Sequence, residues 1–345
     1  MTNETLQMSE NPWNTKESAW VILFVSVIIL TGILGNTLVI VVTLINCTLK
    51  TTANAFIVNL AVADILALFS FGIMVSSLAR GKWIYGDTAC KVNGFTIMTF
   101  GLASALSISA ISINRYLVTA NLTAYHSLFG AKNRTLFLLV ALWIFAGTFG
   151  SLPLVGWSRY EYFPARGFCF WSYSTSFSYT ITFYTLVAPC CLAAAFCYWK
   201  IYLTIRQNKQ GHNQNLSLSS PKDSHKIKRR QEMSNELSER KITLSICVVV
   251  FVYYTTLAPF SIVNLMVVWK PSYEISPSVD IVTTIVAMMN HVINVFIYAT
   301  LNRKYRQAIR NLFEKIKGFV WPNENRVQSF NRSRKQTPKH DVTWC

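Results

Sequence analysis

Residues 18–49 read SAWVILFVSVIILTGILGNTLVIVVTLINCTL, a run of 32 positions without a charged side chain between Glu17 and Lys50. A helix needs about 20 apolar residues to cross a bilayer's hydrocarbon core, and backbone polar groups there must be satisfied within the segment itself. The run therefore reads as a membrane-spanning helix. The same reading repeats down the chain: between Lys50 and Arg80, broken only by Asp64, and then between Lys91 and Arg115, Arg134 and Arg159, Arg166 and Lys200, Lys241 and Lys270, and Asp280 and Arg303. The expectation is an all-α integral membrane protein. Its core is a seven-transmembrane helix bundle over about residues 20–302, with spans at about 20–45, 54–79, 92–115, 135–157, 174–200, 242–269 and 281–302.

The composition agrees. Of 345 residues 52% are hydrophobic and only 14% charged, against about 25% charged in an average soluble domain. The apolar and aromatic content is too high for a disordered protein, and eight cysteines are too few for a disulfide scaffold. The net charge of +17 would suit a nucleic-acid partner only if it covered one soluble surface. Seven crossings put the termini on opposite sides, so charge can be sorted by side. One side holds the N-terminus and the loops around 78–91, 157–176 and 270–280, with seven cations, Arg166 among them, and seven acids, Asp280 among them. The other side holds 25 Lys+Arg and 7 acids, a balance of +18, and Asp64 remains as the single acid inside a span. The positive-inside rule makes the second side cytoplasmic. The chain is then expected to be a multi-pass protein of the plasma membrane with residues 1–19 as an extracellular N-terminus, and its inner face suits anionic lipid rather than nucleic acid.

This topology sorts the modifiable residues too. Residues 1–17 are polar and acidic, so the first span serves as its own insertion signal. Among the glycosylation sequons only the one headed by Asn3 falls outside. Of the cysteines only Cys90 and Cys169 face the oxidising side, which predicts that they pair. The polar segment from about Gln207 to Ser238 has no apolar periodicity and reads as a long inner loop. After the last span, Tyr305, Ala308, Ile309, Leu312, Phe313, Ile316 and Phe319 recur at helical spacing among basic residues, predicting an amphipathic helix over 303–319 on the inner leaflet and a cytoplasmic tail over 320–345.

An ionisable group inside a span is costly, so Asp64 is a functional candidate. Asn36, Ser104, Asn290, His291 and Asn294 also fall within spans, and the set reads either as a hydrogen-bond network between helices or as an ion site. No His, Glu and Asp cluster at metal-ligand spacing appears, nor a phosphate loop or a nucleophile elbow, so no enzyme is expected. A transporter stays open, although no second buried ionisable group and no Gly/Pro-rich half-helix stands out.

Over about residues 20–320 the chain resembles rhodopsin-like (class A) G-protein-coupled receptors. The resemblance rests on Gly35-Asn36, Asn59-Leu60-Ala61-Val62-Ala63-Asp64, Trp83 and Gly86, Cys90 and Cys169, Asn114-Arg115-Tyr116, Trp143, Pro189, Pro259, and Asn294-Val295-Phe296-Ile297-Tyr298. Gly156-Trp157-Ser158-Arg159-Tyr160 before Cys169 and Asn302-Arg303-Lys304-Tyr305-Arg306 after the last span are similar to opsins, while Asn114-Arg115-Tyr116 and the proline-free end of span seven are also similar to melatonin receptors. One departure stands out. Opsins hold retinal as a Schiff base on a lysine six residues before the terminal-motif Asn; that position is Met288, no span contains a lysine, and the span-three counter-ion position is Asn93. Covalent retinal is therefore not expected.

The resemblance implies a ligand pocket at Asn93, Ile97, Met98, Gly101, Ile181, Phe260, Ser261, Asn264, Thr284 and Met288, with Phe168 and Phe170 as lid. Ile97 stands where amine receptors carry an aspartate, so a neutral or lipophilic ligand is expected, oriented by Asn93, Asn264 or Thr284. The family's switch maps to Asn114, Arg115 and Tyr116, with Glu239 as Arg115's inactive-state partner and Tyr198, Asn294 and Tyr298 as its active-state surroundings. Asn114 in place of the customary aspartate, with Leu257 and Val295 at unusual positions, implies high basal signalling or atypical coupling. Asp64, Ser104, Asn290 and Asn294 match the family's sodium site. The partners implied are a heterotrimeric G protein, arrestin, a small-molecule ligand and membrane lipid. A non-covalent retinoid-binding or light-responsive relative, a transporter and a partner that only heterodimerises stay as alternatives.

Overall fold

The computed structural model describes residues 12–173, 175–188, 247–270 and 274–320, together with isolated positions between 192 and 203. Helix α1 spans Thr15–Ile45 and starts at a capping box. Asn14 accepts from the backbone N–H of Lys16 and Glu17 while the Glu17 carboxylate returns to the Asn14 N–H at 3.2 Å, which satisfies donors that a helix start leaves open. α2 spans Thr52–Arg80, α3 Gly86–Ala120, α4 Leu122–Phe129 and α5 Lys132–Ser151. A hairpin follows, β1 (Tyr160–Phe163) paired antiparallel with β2 (Phe168–Trp171), Tyr160 opposite Trp171. α6 spans Phe177–Ala188, α7 Cys247–Trp269, α8 Pro277–Met288, α9 Asn290–Leu301 and α10 Arg303–Val320.

Among the described residues six helices, counting α8 and α9 as one, are long and apolar enough to cross a membrane. α6 is the described beginning of the remaining expected span, whose continuation falls outside the described residues. The periphery explains the composition. Leu23, Leu30, Leu34, Phe137, Ile144 and Phe251 all point outward, a surface that water would not tolerate at this extent but lipid would. Inside lie two apolar layers. One, around Ile97, Met98, Phe168, Trp171 and Met288, fills the end that carries the hairpin; the other, around Phe56, Leu60, Ile111, Val249 and Tyr298, fills the opposite end.

Three features were not expected from the sequence. α4 occupies the second inner loop, the outer loop forms the β1–β2 hairpin, and the last span is two helices meeting at a turn at Met289. The last span also begins earlier than residue 281. Pro277 at the first helical position carries the φ a helix needs, and Asp280 sits in the first turn where the helix dipole favours an acid. Asp280 is therefore inside a helix and buried, which corrects the reading of Asp64 as the one acid within the spans.

The surface helix α10 is docked by Tyr305, whose hydroxyl meets Thr43 Oγ1 of α1 at 2.8 Å and whose ring stacks on Tyr298 at 5.7 Å. Ala308 is buried beneath it while Phe313 and Ile316 point away from the bundle among cations, the arrangement of a helix lying on a leaflet.

Candidate functional site

A cavity of about 480 Å³ lies inside the bundle beneath the hairpin. Its walls come from α3 (Ile97, Met98, Gly101), α7 (Phe260, Ser261), α8 (Thr284, Met288) and the hairpin (Phe168, Phe170), with Phe183 and Tyr184 of α6 closing one side. Among the described residues no Asp, Glu, Lys or Arg lines it, and its polar groups are hydroxyls, the Asn290 amide and the His291 ring. Of the ten pocket positions that the class A resemblance implies besides the lid, seven line this cavity, namely Ile97, Met98, Gly101, Phe260, Ser261, Thr284 and Met288, and three, Asn93, Asn264 and Ile181, do not.

The three exceptions have physical reasons. Asn93 is spent on architecture: its amide donates to the Ser70 carbonyl at 2.8 Å and its Oδ1 accepts the Cys169 N–H at 3.0 Å. It thereby fixes β2 to α2 and α3, beside the Cys90–Cys169 disulfide that ties the same strand to α3. Asn264 is fully buried and accepts from Arg166 at 2.8 Å. Ile181 lines a separate cleft between α6 and α7 with Ile262 and Trp269.

Arg166 is the residue that the sequence reading left in the solvent. It lies between β1 and β2, yet it is 1% exposed. Its guanidinium grips both Asp280 oxygens, at 2.6 to 2.9 Å, donates to Tyr173 at 3.0 Å and to Asn264 at 2.8 Å, and lies over the rings of Phe163 and Phe260 at 4.8 and 4.9 Å. Burial works against the guanidinium's charge, but Tyr173 and Asp280 outweigh it, so the group is held above its ordinary value and stays cationic. The hairpin is thus latched to α7 and α8 by a desolvated cation whose donors converge on fixed acceptors. The turn that delivers it needs Gly167, at φ +73°, where a Cβ would also stand 2.7 Å from Leu78.

Below the cavity a second cluster surrounds Asp64, which is fully buried. Its Oδ1 takes the Ser104 hydroxyl at 2.9 Å and the His291 Nδ1 at 2.7 Å, and its Oδ2 takes the Asn294 amide at 3.1 Å. Facing a carboxylate, the imidazole nitrogen donates. The other two members of the expected polar set are turned elsewhere. Asn36 donates to the Gly32 and His291 carbonyls, and Asn290 joins α7 by accepting from Thr256 and donating to the Tyr253 carbonyl. Asn59 binds Ser107 and receives the Trp143 indole N–H, each at 2.8 Å, so these motif residues knit α2, α3 and α5 together.

Residues 35–298 match the family model described as 7 transmembrane receptor (rhodopsin family). The chain belongs to this family. The receptor is 32% identical to melanopsin of Mus musculus over 328 residues, covering 91% of this chain and 61% of that protein. It is 31% identical to melanopsin of Homo sapiens over 287 residues, covering 81% and 59%. The receptor therefore spans about three fifths of the length of these two melanopsins. A crystal structure of squid rhodopsin shares its fold with a TM-score of 0.78, at 23% identity, over 95% of this chain and 94% of that one. The receptor is a G-protein-coupled receptor of opsin-like kind, embedded in a membrane as a multi-pass bundle.

At the end of the bundle opposite the hairpin Arg115 and Asn114 sit near the end of α3, Asn114 buried and Arg115 half-buried. Tyr116 meets Phe196 edge-on at 6.1 Å, and Tyr298 is buried against Tyr305. Asn294 and Tyr298 fall on the same helix, α9, so the switch motif and the Asp64 cluster share one rigid element. Glu239, Tyr198 and Asn3 lie outside the described residues. The residues that the sequence reading missed are Arg166, Tyr173 and Asp280. The available signal was a cation, the second in its loop after Arg159, flanked by Phe163 and Phe168 in a stretch rich in aromatics.

Proposed function

We propose that the receptor sits in the plasma membrane with its N-terminus outside, binds a neutral, lipophilic ligand in the cavity beneath the hairpin, and signals to a heterotrimeric G protein at its inner end. The observation that carries the ligand class is the uncharged, aromatic and aliphatic lining among the described residues. A protonated amine placed there would lose its hydration and meet no carboxylate. The one cation near the cavity roof, Arg166, is committed to Asp280. Ser261 and Thr284 bring hydroxyls to the lining that can orient a ligand.

A retinal Schiff base does not fit these residues. Met288 occupies the position that the opsin resemblance gives to the lysine, it is buried, and no amine among the described residues lines the cavity. A retinoid would be held by shape and apolar contact alone. Nor does a sodium ion fit the Asp64 cluster as it stands, because the His291 ring donates to the carboxylate oxygen that would face the ion. We read the His291 ring as taking the place beside Asp64 that the ion would otherwise occupy. Asn114 in place of an aspartate leaves Arg115 with one restraining charge fewer, which supports signalling above background without ligand. Arrestin is a further partner expected on family grounds.

The test is nucleotide exchange on a panel of purified G proteins by the receptor in nanodiscs, challenged with matched neutral and cationic lipophilic compounds. Neutral compounds should drive exchange, and Arg115→Ala should abolish it. Cationic compounds acting as well as their neutral isosteres would overturn the ligand class, and undiminished exchange by Arg115→Ala would overturn the coupling route.

A further inference from the structure

A second cavity, of about 250 Å³, opens at the inner end between the α1–α2 turn, the end of α3, α4 and the start of α10. Arg115 and Lys304 place two cations on its wall, Thr48, Thr51 and Tyr125 bring hydroxyls, and none of the described residues lining it is acidic. Asn114 lines it as well. That side chain is 1% exposed, and its amide nitrogen is a buried donor with no hydrogen-bond partner among the described residues. An unmatched buried donor is costly, so its presence at the wall of a cationic pocket marks a place where an acceptor belongs. We propose that this pocket binds a phosphate group. A phosphomonoester brings several acceptor oxygens and up to two negative charges, which matches one amide donor, hydroxyls and two cations better than a single carboxylate would. The site is independent of the ligand cavity, which lies at the opposite end of the bundle, and Lys304 reaches it from the surface helix that rests on the leaflet.

The phosphate can come from an inner-leaflet lipid headgroup or from a soluble compound, and the two sources are separable. The full chain in phosphatidylcholine nanodiscs is titrated with a fluorescent lipid carrying an inositol bisphosphate headgroup, and in a second arm with soluble inositol trisphosphate. Saturable binding is expected, weakened about tenfold by Lys304→Gln and at least as much by Asn114→Asp, which sets a carboxylate against the phosphate. Lys304→Arg should retain it. Arg310→Gln, an equally exposed cation further along α10, should change it little. Binding in the lipid arm alone supports a headgroup site, and equal binding in both arms supports a site for the phosphate group whatever carries it. If Asn114→Asp does not yield folded receptor, Lys304→Gln against Arg310→Gln decides. Equal loss in those two variants, or no loss in either, overturns the site and leaves only diffuse attraction to the basic face.

Discussion

Replacing Arg166 by Met keeps apolar volume between Phe163 and Phe260 and removes the charge. The lost contacts are three short bonds to Asp280, one to Tyr173, one to Asn264 and the two ring faces. What remains is a carboxylate 8% exposed with no counter-charge. Removing one partner of a buried pair costs about 3–5 kcal/mol, whereas replacing both by apolar groups of similar volume is often near neutral. Arg166→Met and Asp280→Leu should therefore each destabilise the receptor by about that amount, and the double variant should be no worse than either single one, a coupling of several kcal/mol. The assay is unfolding of the purified receptor in one detergent, at low and high salt, alongside ligand dissociation. Because the pair is desolvated, salt should change the result little. Dissociation should be faster in both single variants, since the hairpin loses its hold on α7 and α8. Single effects under about 1 kcal/mol that add in the double variant are what an exposed pair gives; that outcome would put Arg166 in water and refute the latch.

Three further outcomes are expected. Met288→Lys places a primary amine on the cavity wall, so retinal followed by borohydride should leave a covalent adduct on that variant and none on the natural chain; an adduct on the natural chain would sink the reading of non-covalent binding. His291→Ser frees one oxygen of Asp64 from its 2.7 Å partner, so agonist affinity should become sodium-sensitive in the variant, and Asp64→Asn should abolish that sensitivity. Sodium sensitivity in the natural chain equal to that of the variant would show that His291 does not stand in for the ion. Cys169→Ser opens the bridge to Cys90 across 79 residues and should lower stability by about 2–5 kcal/mol, read as loss of folded receptor at the cell surface; unchanged surface folding would remove the bridge from the fold's supports.

The seven-span plan was legible because lipid forbids the alternatives. A backbone in hydrocarbon must be helical or closed, and charged residues mark where each helix may end, so α1, α2, α3 and α5 each overlap one uncharged run, with ends up to six residues away from those the runs suggest. The Asp64 cluster was legible for a related reason, since a buried carboxylate draws every nearby donor, and Ser104, His291 and Asn294 do converge on it. The Arg166 latch was not legible. Its partners Asn264 and Asp280 are 98 and 114 residues away along the chain, no local pattern links them, and each was assigned a sensible local role. Asn93 and Asn264 show the same limit at smaller scale. Both face inward at the cavity's level, but a backbone N–H in one case and a guanidinium in the other claimed the oxygen first.

Those two captures change what the outer face can recognise. In the sequence Arg166 and Asp280 count only as two of the opposed charges that leave one side of the chain neutral. Folded together and dehydrated, the pair withdraws both charges and two of the polar side chains that a ligand would have used, Asn264 and Tyr173. The cavity below is left with aromatic and aliphatic walls, a few hydroxyls, the Asn290 amide and the His291 ring. Selection there must come from shape and apolar area, each Å² contributing about 25 cal/mol, rather than from charge. The same burial that holds the lid in place is what sets the chemistry of whatever lies beneath it.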